Sequence, residues 1–221
     1  IVRNVARAGG AVVHFTLEMT GGEVMQGHMA ALSGVDSDLI TRRAVNPAQL
    51  EALRRTSQRL NDWDVYLYDK GDLSLAELRA QGLRRAQEWG KMPDLVVVDY
   101  LQLMSGNHAR GKPRHEVIAE ISRGLKQFAV DHGTAVLAAA QVGRSAAEGS
   151  SGPQLHHLRE SGAIEQDANV VILLDLNQDT KEMVVNVAKN RHGDGGWFAT
   201  RFDGARRCIG EPSSQSCEVS T

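Results

Sequence analysis

Cysteine, net charge and long apolar runs are all scarce in this 221-residue sequence. Only Cys208 and Cys217 are present, which excludes a disulfide scaffold or a multi-cysteine zinc site and is typical of a reducing cytoplasm. No apolar stretch approaches membrane-spanning length and the first residues contain no secretory signal, so we expect no membrane partner. The net charge of −2 provides no general basic field, so any contact with nucleic acid must come from a few local groups.

The sequence does contain a regular alternation of amphipathic segments and short apolar runs. Helices are predicted for residues 1–8, 21–33, 46–62, 73–90 and 115–132. Strands are predicted for residues 11–18, 65–69, 95–99, 134–141, 170–175, 182–189 and 197–202. This alternation implies βαβ units, and therefore an α/β fold with a mostly parallel sheet covered by helices. The last two strands, joined by a short turn, add a C-terminal antiparallel hairpin.

The domain boundary is predicted at residue 210. Residues 1–210 hold all of the predicted helices and strands, and their number is typical of one large domain. The remaining stretch, residues 211–221, has no apolar period and is predicted to be disordered.

Three predicted strands whose composition is typical of buried strands each finish on a polar residue: Glu18, Asp99 and Gln141. Each residue alone is also compatible with an ordinary solvated strand end. Ligands of open parallel sheets, however, bind outside the carboxyl ends of the strands, where these three side chains are expected to converge. One carboxylate can hold Mg²⁺, directly or through water, the other can accept a proton from attacking water, and the amide can orient a terminal phosphate.

Five motifs together resemble those of DnaB-type replicative helicases, which are hexameric ATPases with a RecA-like P-loop NTPase core. They are FTLEM (15–19), VVVDYLQLM (96–104), AAAQVGRS (138–145), LRESGAIEQDAN (158–169) and AKNRHG (188–193). The resemblance spans roughly residues 1–207, and RESGAIEQDA is its most specific part. It implies a motor domain that hydrolyses ATP with Mg²⁺ and unwinds duplex DNA by moving 5′–3′ on a single strand.

The resemblance also implies roles for individual residues. Glu18 matches the catalytic glutamate that polarises the attacking water, and Asp99 matches the Walker B acid associated with Mg²⁺. Gln141 matches the glutamine that couples the γ-phosphate to the DNA-binding loops. A basic pair, Lys189 and Arg191, matches the residues donated to the nucleotide of the neighbouring subunit.

The DNA contacts and protein partners are implied in the same way. A loop containing Arg159, Glu160 and Gly162 matches the family's contact with the single-strand backbone. The resemblance further implies a homo-hexamer, with primase and a helicase loader as candidate partners.

One expected motif, the phosphate-binding loop G-x-x-x-x-G-K-[ST], is missing from these 221 residues. In the family this loop precedes the helix whose last turns match residues 1–8. The downstream motifs are all present, which favours a natural protein that is longer than this chain. We therefore expect the chain alone to bind ATP poorly and to be inactive.

Two alternatives remain open at this point. The chain can be a different RecA-like ATPase, of the recombination or clock type, although RESGAIEQDA is not typical of those relatives. It can also be a non-catalytic oligomerisation or DNA-binding module that has lost ATP chemistry. That second alternative does not explain why all of the hydrolytic residues are present.

Overall fold

The computed structural model describes residues 1–105, 112–142, 154–155 and 162–212. Four strands form a parallel sheet in the order β2-β1-β3-β4. They are β1 (Val12–Thr16), β2 (Val65–Tyr68), β3 (Leu95–Asp99) and β4 (Ala135–Ala138). In the register of the two central strands, Thr16 lies opposite Asp99. The parallel sheet predicted from the alternating pattern is confirmed.

Helices cover both faces of this sheet. Their bounds are α1 (Val2–Arg7), α2 (Gly21–Ser33), α3 (Ser37–Thr41), α4 (Pro47–Asn61), α5 (Leu75–Trp89), α6 (Arg114–His132) and α7 (Gly162–Asp167). A 3₁₀ turn, Leu101–Leu103, follows β3. The five helices predicted from periodicity are present, whereas α3 and α7 are too short to produce a periodic signal.

Side-chain caps define where α2, α4 and α5 begin. The Thr20 hydroxyl accepts from the Glu23 amide (3.3 Å), and the Glu23 carboxylate accepts from the Thr20 amide (2.9 Å), which closes a capping box at α2. Ser74 caps α5, since its hydroxyl accepts from the Glu77 amide at 3.1 Å. Each such cap stabilises its helix by about 1 kcal/mol.

Alternation along the central strands divides the core into two layers. Val13 and Phe15 face the layer that contains the apolar side of α6, where Ile118, Ile121, Leu125 and Phe128 are buried. On the other face, Val12 and Val97 pack with residues of α1. The valine runs are therefore buried on both faces, as their composition predicts.

The second half of the chain forms a separate four-stranded antiparallel sheet in the order β5-β6-β7-β8. Its strands are β5 (Val170–Leu176), β6 (Glu182–Asn190), β7 (Gly196–Asp203) and β8 (Cys208–Pro212). The predicted hairpin corresponds to β6 and β7, the predicted strand at 170–175 pairs with β6 as β5, and the structure adds β8 beside β7. β8 runs through Pro212 and so crosses the predicted domain boundary at residue 210.

The apolar run of β5 has only one covered face. Val171 and Leu173 are buried, with Leu155 packed against them, whereas Val170 and Ile172 are each 47% exposed. Alternating burial is typical of an antiparallel sheet with one open face. Within the described residues, no helix is both long enough and apolar enough to cross a lipid bilayer.

Candidate active site

The carboxyl end of β1 is fixed by hydrogen bonds on both sides of Glu18. Thr16 is 1% exposed, and its hydroxyl donates to the Met19 carbonyl at 2.8 Å. The Leu17 amide donates to the Asp99 carbonyl on β3, also at 2.8 Å. Glu18 itself is exposed, on a short connection that leads into α2. Its backbone is therefore held while its carboxylate stays accessible.

Asp99 and Gln141 lie at the ends of the next two strands along the sheet. Asp99 is the last residue of β3 and is half-buried. Gln141 follows β4 and is exposed, and its main chain bonds to the side chain of Gln102. Since adjacent strands lie about 4.8 Å apart, the ends of β1, β3 and β4 share roughly a 10 Å edge. The structure thus brings the predicted acid, acid and amide positions to one edge of the parallel sheet.

Lys189 lies near the end of β6, Arg191 directly follows that strand, and both contact the last turn of α7. The Lys189 ammonium donates to the carbonyls of Glu165 and Gln166, and the Arg191 guanidinium donates to the Gln166 carbonyl at 3.3 Å. Cations are favourable beside the exposed carbonyls at a helix C-terminus. Within the described part of the chain, their side-chain partners are therefore on α7 and not at the edge of the parallel sheet.

The proposed DNA loop is only partly described by the structure. Arg159 and Glu160 lie outside the described residues. Gly162 is the exposed first residue of α7, and a Cβ atom added there would meet nothing within 4 Å.

A cavity of about 630 Å³ lies elsewhere, on the antiparallel sheet. Glu165, Asn186 and Gly195 are among the residues that line it. Glu18, Asp99 and Gln141 do not line this cavity, which is therefore separate from the edge of the parallel sheet.

A family model described as "DnaB-like helicase C terminal domain" matches residues 1–208. The chain belongs to this family. The family resemblance predicted from the five motifs is confirmed, and the matched region contains every predicted site residue.

Curated relatives of this DnaB-like domain are replicative helicases. The replicative DNA helicase DnaB of Mycoplasma genitalium is 34% identical over 206 residues, which covers 86% of this chain and 43% of the relative. A probable plasmid replicative DNA helicase of Chlamydia muridarum is 28% identical over 189 residues, covering 85% of this chain and 41% of the relative. The chain therefore spans less than half the length of these relatives.

Solved structures share the fold of the DnaB-like domain. One of them, described as an ATPase domain, superposes with a TM-score of 0.86 at 24% identity, covering 94% of this chain and 76% of that one. A DnaB-like replicative helicase, described with its interactions with primase, has a TM-score of 0.85 at 24% identity, covering 93% of this chain and 51% of that one. The predicted RecA-like fold is confirmed.

Two buried histidines of the domain were not identified by the sequence analysis. His14 lies two residues before Thr16 on β1, and burial lowers its pKa while the Asp99 carboxylate opposes that shift. Burial, followed by the charges of Arg3 and His14, lowers the pKa of His28 on α2 to about 4. Both side chains are 8% exposed, and the nearby Arg3 guanidinium lies 3.5 Å from Nδ1 of His28. For His14 the sequence signal was a polar residue inside the apolar run AVVHF, whereas His28 lies in the mixed segment of α2 and carries no such signal.

We expect His28 to make the protein less stable in mild acid. Its folded-state pKa of about 4 lies below the ordinary value of about 6.5, so the unfolded chain takes up the proton first as pH falls. The stability contributed by neutral His28 is therefore present above about pH 6.5 and is lost as the pH falls toward 4. Between pH 7 and pH 5 this loss amounts to about 2 kcal/mol.

The measurement is the free energy of unfolding in urea at both pH values, for the parent and for His28→Gln. Glutamine keeps an acceptor for Arg3 but does not titrate, so the variant should lose about 2 kcal/mol less than the parent. His192→Gln, which makes the same exchange at an exposed position, should lose as much as the parent. An identical pH dependence in parent and His28→Gln would exclude His28 as the cause.

Proposed function

We propose that residues 1–210 are the motor domain of a longer, cytoplasmic replicative DNA helicase that works as a homo-hexamer and moves 5′–3′ on single-stranded DNA. The observation that carries this proposal is the convergence of Glu18, Asp99 and Gln141 at one edge of a parallel sheet. The family match supports it, and it also disfavours a recombination-type or clock-type ATPase and a non-catalytic module.

The two acidic residues divide the hydrolytic chemistry between them. Glu18 is exposed on a fixed backbone, so its carboxylate can polarise a water molecule and accept its proton. Asp99 offers a half-buried carboxylate, the oxygen ligand that Mg²⁺ prefers, and would hold the ion directly or through water. Bound Mg²⁺ would supply positive charge to the phosphates of ATP.

Gln141 is the group proposed to respond to the terminal phosphate. Its side chain is exposed beside the end of β3, where an amide can donate a hydrogen bond to a phosphate oxygen. The chain continues from Gln141 toward residues 143–153, which lie outside the described part. A change in the hydrogen bond of Gln141 would therefore be passed directly to the residues that follow it.

Lys189 and Arg191 are proposed to act on the nucleotide of the neighbouring subunit. Arg191 is exposed and its side chain is held by one long hydrogen bond to α7, so releasing it costs little. A guanidinium placed at a transferring phosphoryl group stabilises the charge that develops there. The side chains can thus be held on α7 in one chain and extended across an interface in a ring.

The proposed macromolecular partners are single-stranded DNA, other copies of the chain, primase and a helicase loader, with no membrane partner. One structural neighbour is described with primase, which supports the same partner for this chain. Because the net charge is only −2, DNA affinity should arise from few contacts per subunit repeated around the ring.

We expect Arg159→Ala in the full-length protein to weaken single-strand binding equally for all sequences. Contacts with phosphate groups carry no base preference. Each such contact that is lost should reduce, by about 0.7, the steepness with which the logarithm of the DNA-binding constant falls with the logarithm of the salt concentration. Binding to poly-dT and to mixed-sequence strands should be measured across a salt series, together with ATP hydrolysis without DNA. That basal hydrolysis should survive, because Arg159 is assigned to the DNA channel.

The matched control is Arg54→Ala, which removes the same side chain from the exposed surface of α4 and should leave the salt slope unchanged. Unchanged DNA binding by Arg159→Ala, with basal hydrolysis lost, would move Arg159 to the nucleotide site and overturn its assignment.

A further inference from the structure

The side chain of Gln102 bonds both main-chain groups of Gln141. Its Nε2 donates to the Gln141 carbonyl at 3.1 Å, and its Oε1 accepts from the Gln141 amide at 3.2 Å. The two partners are 39 residues apart in sequence. Because one partner is a donor and the other an acceptor, they also determine which way the Gln102 amide is oriented.

This pair of bonds extends the ladder between β3 and β4 beyond the strands themselves. The Ala139 amide donates to the Val98 carbonyl and the Leu101 amide donates to the Ala139 carbonyl, each at 2.9 Å. The main chain then turns into the 3₁₀ segment Leu101–Leu103. At that point the side-chain amide of Gln102 takes the place of a peptide group in the ladder. Its carbonyl and one of its N–H groups face Gln141, as those of a neighbouring strand would.

The main chain around Gln102 is held in place by buried neighbours and by a hydrogen bond. Leu101 and Met104, on either side of it, are 2% and 1% exposed and belong to the main core. Its carbonyl accepts from the Arg114 guanidinium at the start of α6. The side chain therefore connects a fixed segment, which begins at Asp99, to the exposed main chain of Gln141.

We infer that Gln102 is a positioning residue, which holds Gln141 at a fixed place relative to Asp99 so that the nucleotide state is passed to the residues that follow β4. The inference rests on the proposed ATPase function. It assigns Gln102 no contact with the nucleotide. Its removal should therefore leave binding largely intact and impair the step that depends on the placement of Gln141.

Other side chains cannot reproduce both bonds. Methionine has a similar length but no amide, and asparagine is shorter by one methylene group. Ionised glutamate can accept from the Gln141 amide but cannot donate to the Gln141 carbonyl. Protonated glutamate regains a donor beside an acceptor and so resembles the amide.

The first test compares Gln102→Met with the parent in the full-length protein. We expect the Kd for ATP to stay within about twofold, kcat to fall at least about tenfold, and stimulation of hydrolysis by single-stranded DNA to be reduced further. Gln58→Met, which makes the same exchange on the exposed face of α4, should match the parent in all three quantities.

The second test uses Gln102→Glu and does not depend on how well Gln102→Met folds. The ratio of its kcat to that of the parent should rise at least about twofold between pH 8 and pH 5, as the new carboxyl group begins to be protonated near its ordinary pKa of about 4.3. A role in packing alone predicts a ratio that does not change with pH.

The outcomes separate this inference from the function on which it rests. A parent protein without ATP hydrolysis would overturn the proposed function. An active parent with a parent-like kcat in Gln102→Met, or with a flat pH ratio in Gln102→Glu, would overturn the positioning role alone.

Discussion

Replacing Glu18 by Gln in the full-length protein should lower the rate of ATP turnover by about 10²-fold or more, with nucleotide affinity nearly unchanged. Glutamine keeps the shape of the side chain but cannot accept a proton from water. The loss should therefore fall on kcat, while the Kd for ATP stays within about twofold of the parent. The measurement is steady-state phosphate release together with equilibrium nucleotide binding.

Two further variants make this result specific to Glu18. Glu51→Gln makes the same exchange on the exposed face of α4, where its ion pair with Arg55 contributes little, and should behave like the parent. Asp99→Asn should weaken Mg²⁺-dependent nucleotide binding in addition to turnover. Parent-like hydrolysis by Glu18→Gln would show that another group activates the water.

Hexamers made only of Arg191→Ala subunits should lose about 10³-fold in turnover, yet regain activity when mixed with inactive Glu18→Gln subunits. A positive side chain at the transferring phosphoryl group explains the loss. Recovery follows because some interfaces of a mixed ring combine an intact Glu18 with an intact Arg191 from the neighbour. With equal amounts of each subunit, roughly a quarter of the interfaces should be of this kind.

The control for the mixing experiment is Arg201→Ala, which removes an exposed arginine from β7 of the same sheet and should retain activity. Mixing must be verified by an independent measure of subunit exchange. Lack of recovery in verified mixed rings would mean that Arg191 acts within its own subunit, where its side chain contacts α7, or has no role in hydrolysis.

Local signals predicted the parallel half of the fold well. Valine runs ending at Asp99 indicate a buried strand, and Ser74 followed by apolar residues at helical spacing marks the start of α5. Because parallel strands must be joined by covering helices, the order of these elements also implied that Glu18, Asp99 and Gln141 reach the same edge.

The antiparallel half depended on long-range pairing that local patterns do not determine. The run at β5 indicates a strand but not its partner, nor that Val170 and Ile172 remain exposed. β8 contains Gly210 and Pro212, both unfavourable for strands, and forms through its pairing with β7. The contacts of Lys189 and Arg191 could not be predicted, because they require α7, a helix of one to two turns.

The two hydrogen bonds from the Gln102 side chain to the main chain of Gln141 could not be identified from residue spacing in the sequence either. Its amide is useful only because the main chain of residues 101–103 turns away from β4, which is a property of the folded structure. The family resemblance implied the roles of the five predicted nucleotide-site residues, Glu18, Asp99, Gln141, Lys189 and Arg191. The fold determines where these residues lie.

ATP-driven strand separation of a forked DNA duplex, measured for the full-length parent and for Glu18→Gln, tests the central claim most directly. A hexameric motor that uses Glu18 for hydrolysis should separate the strands only with ATP and Mg²⁺, and Glu18→Gln should bind the fork without separating it. Strand separation that is equal in the two proteins, or absent from the parent, would contradict the account.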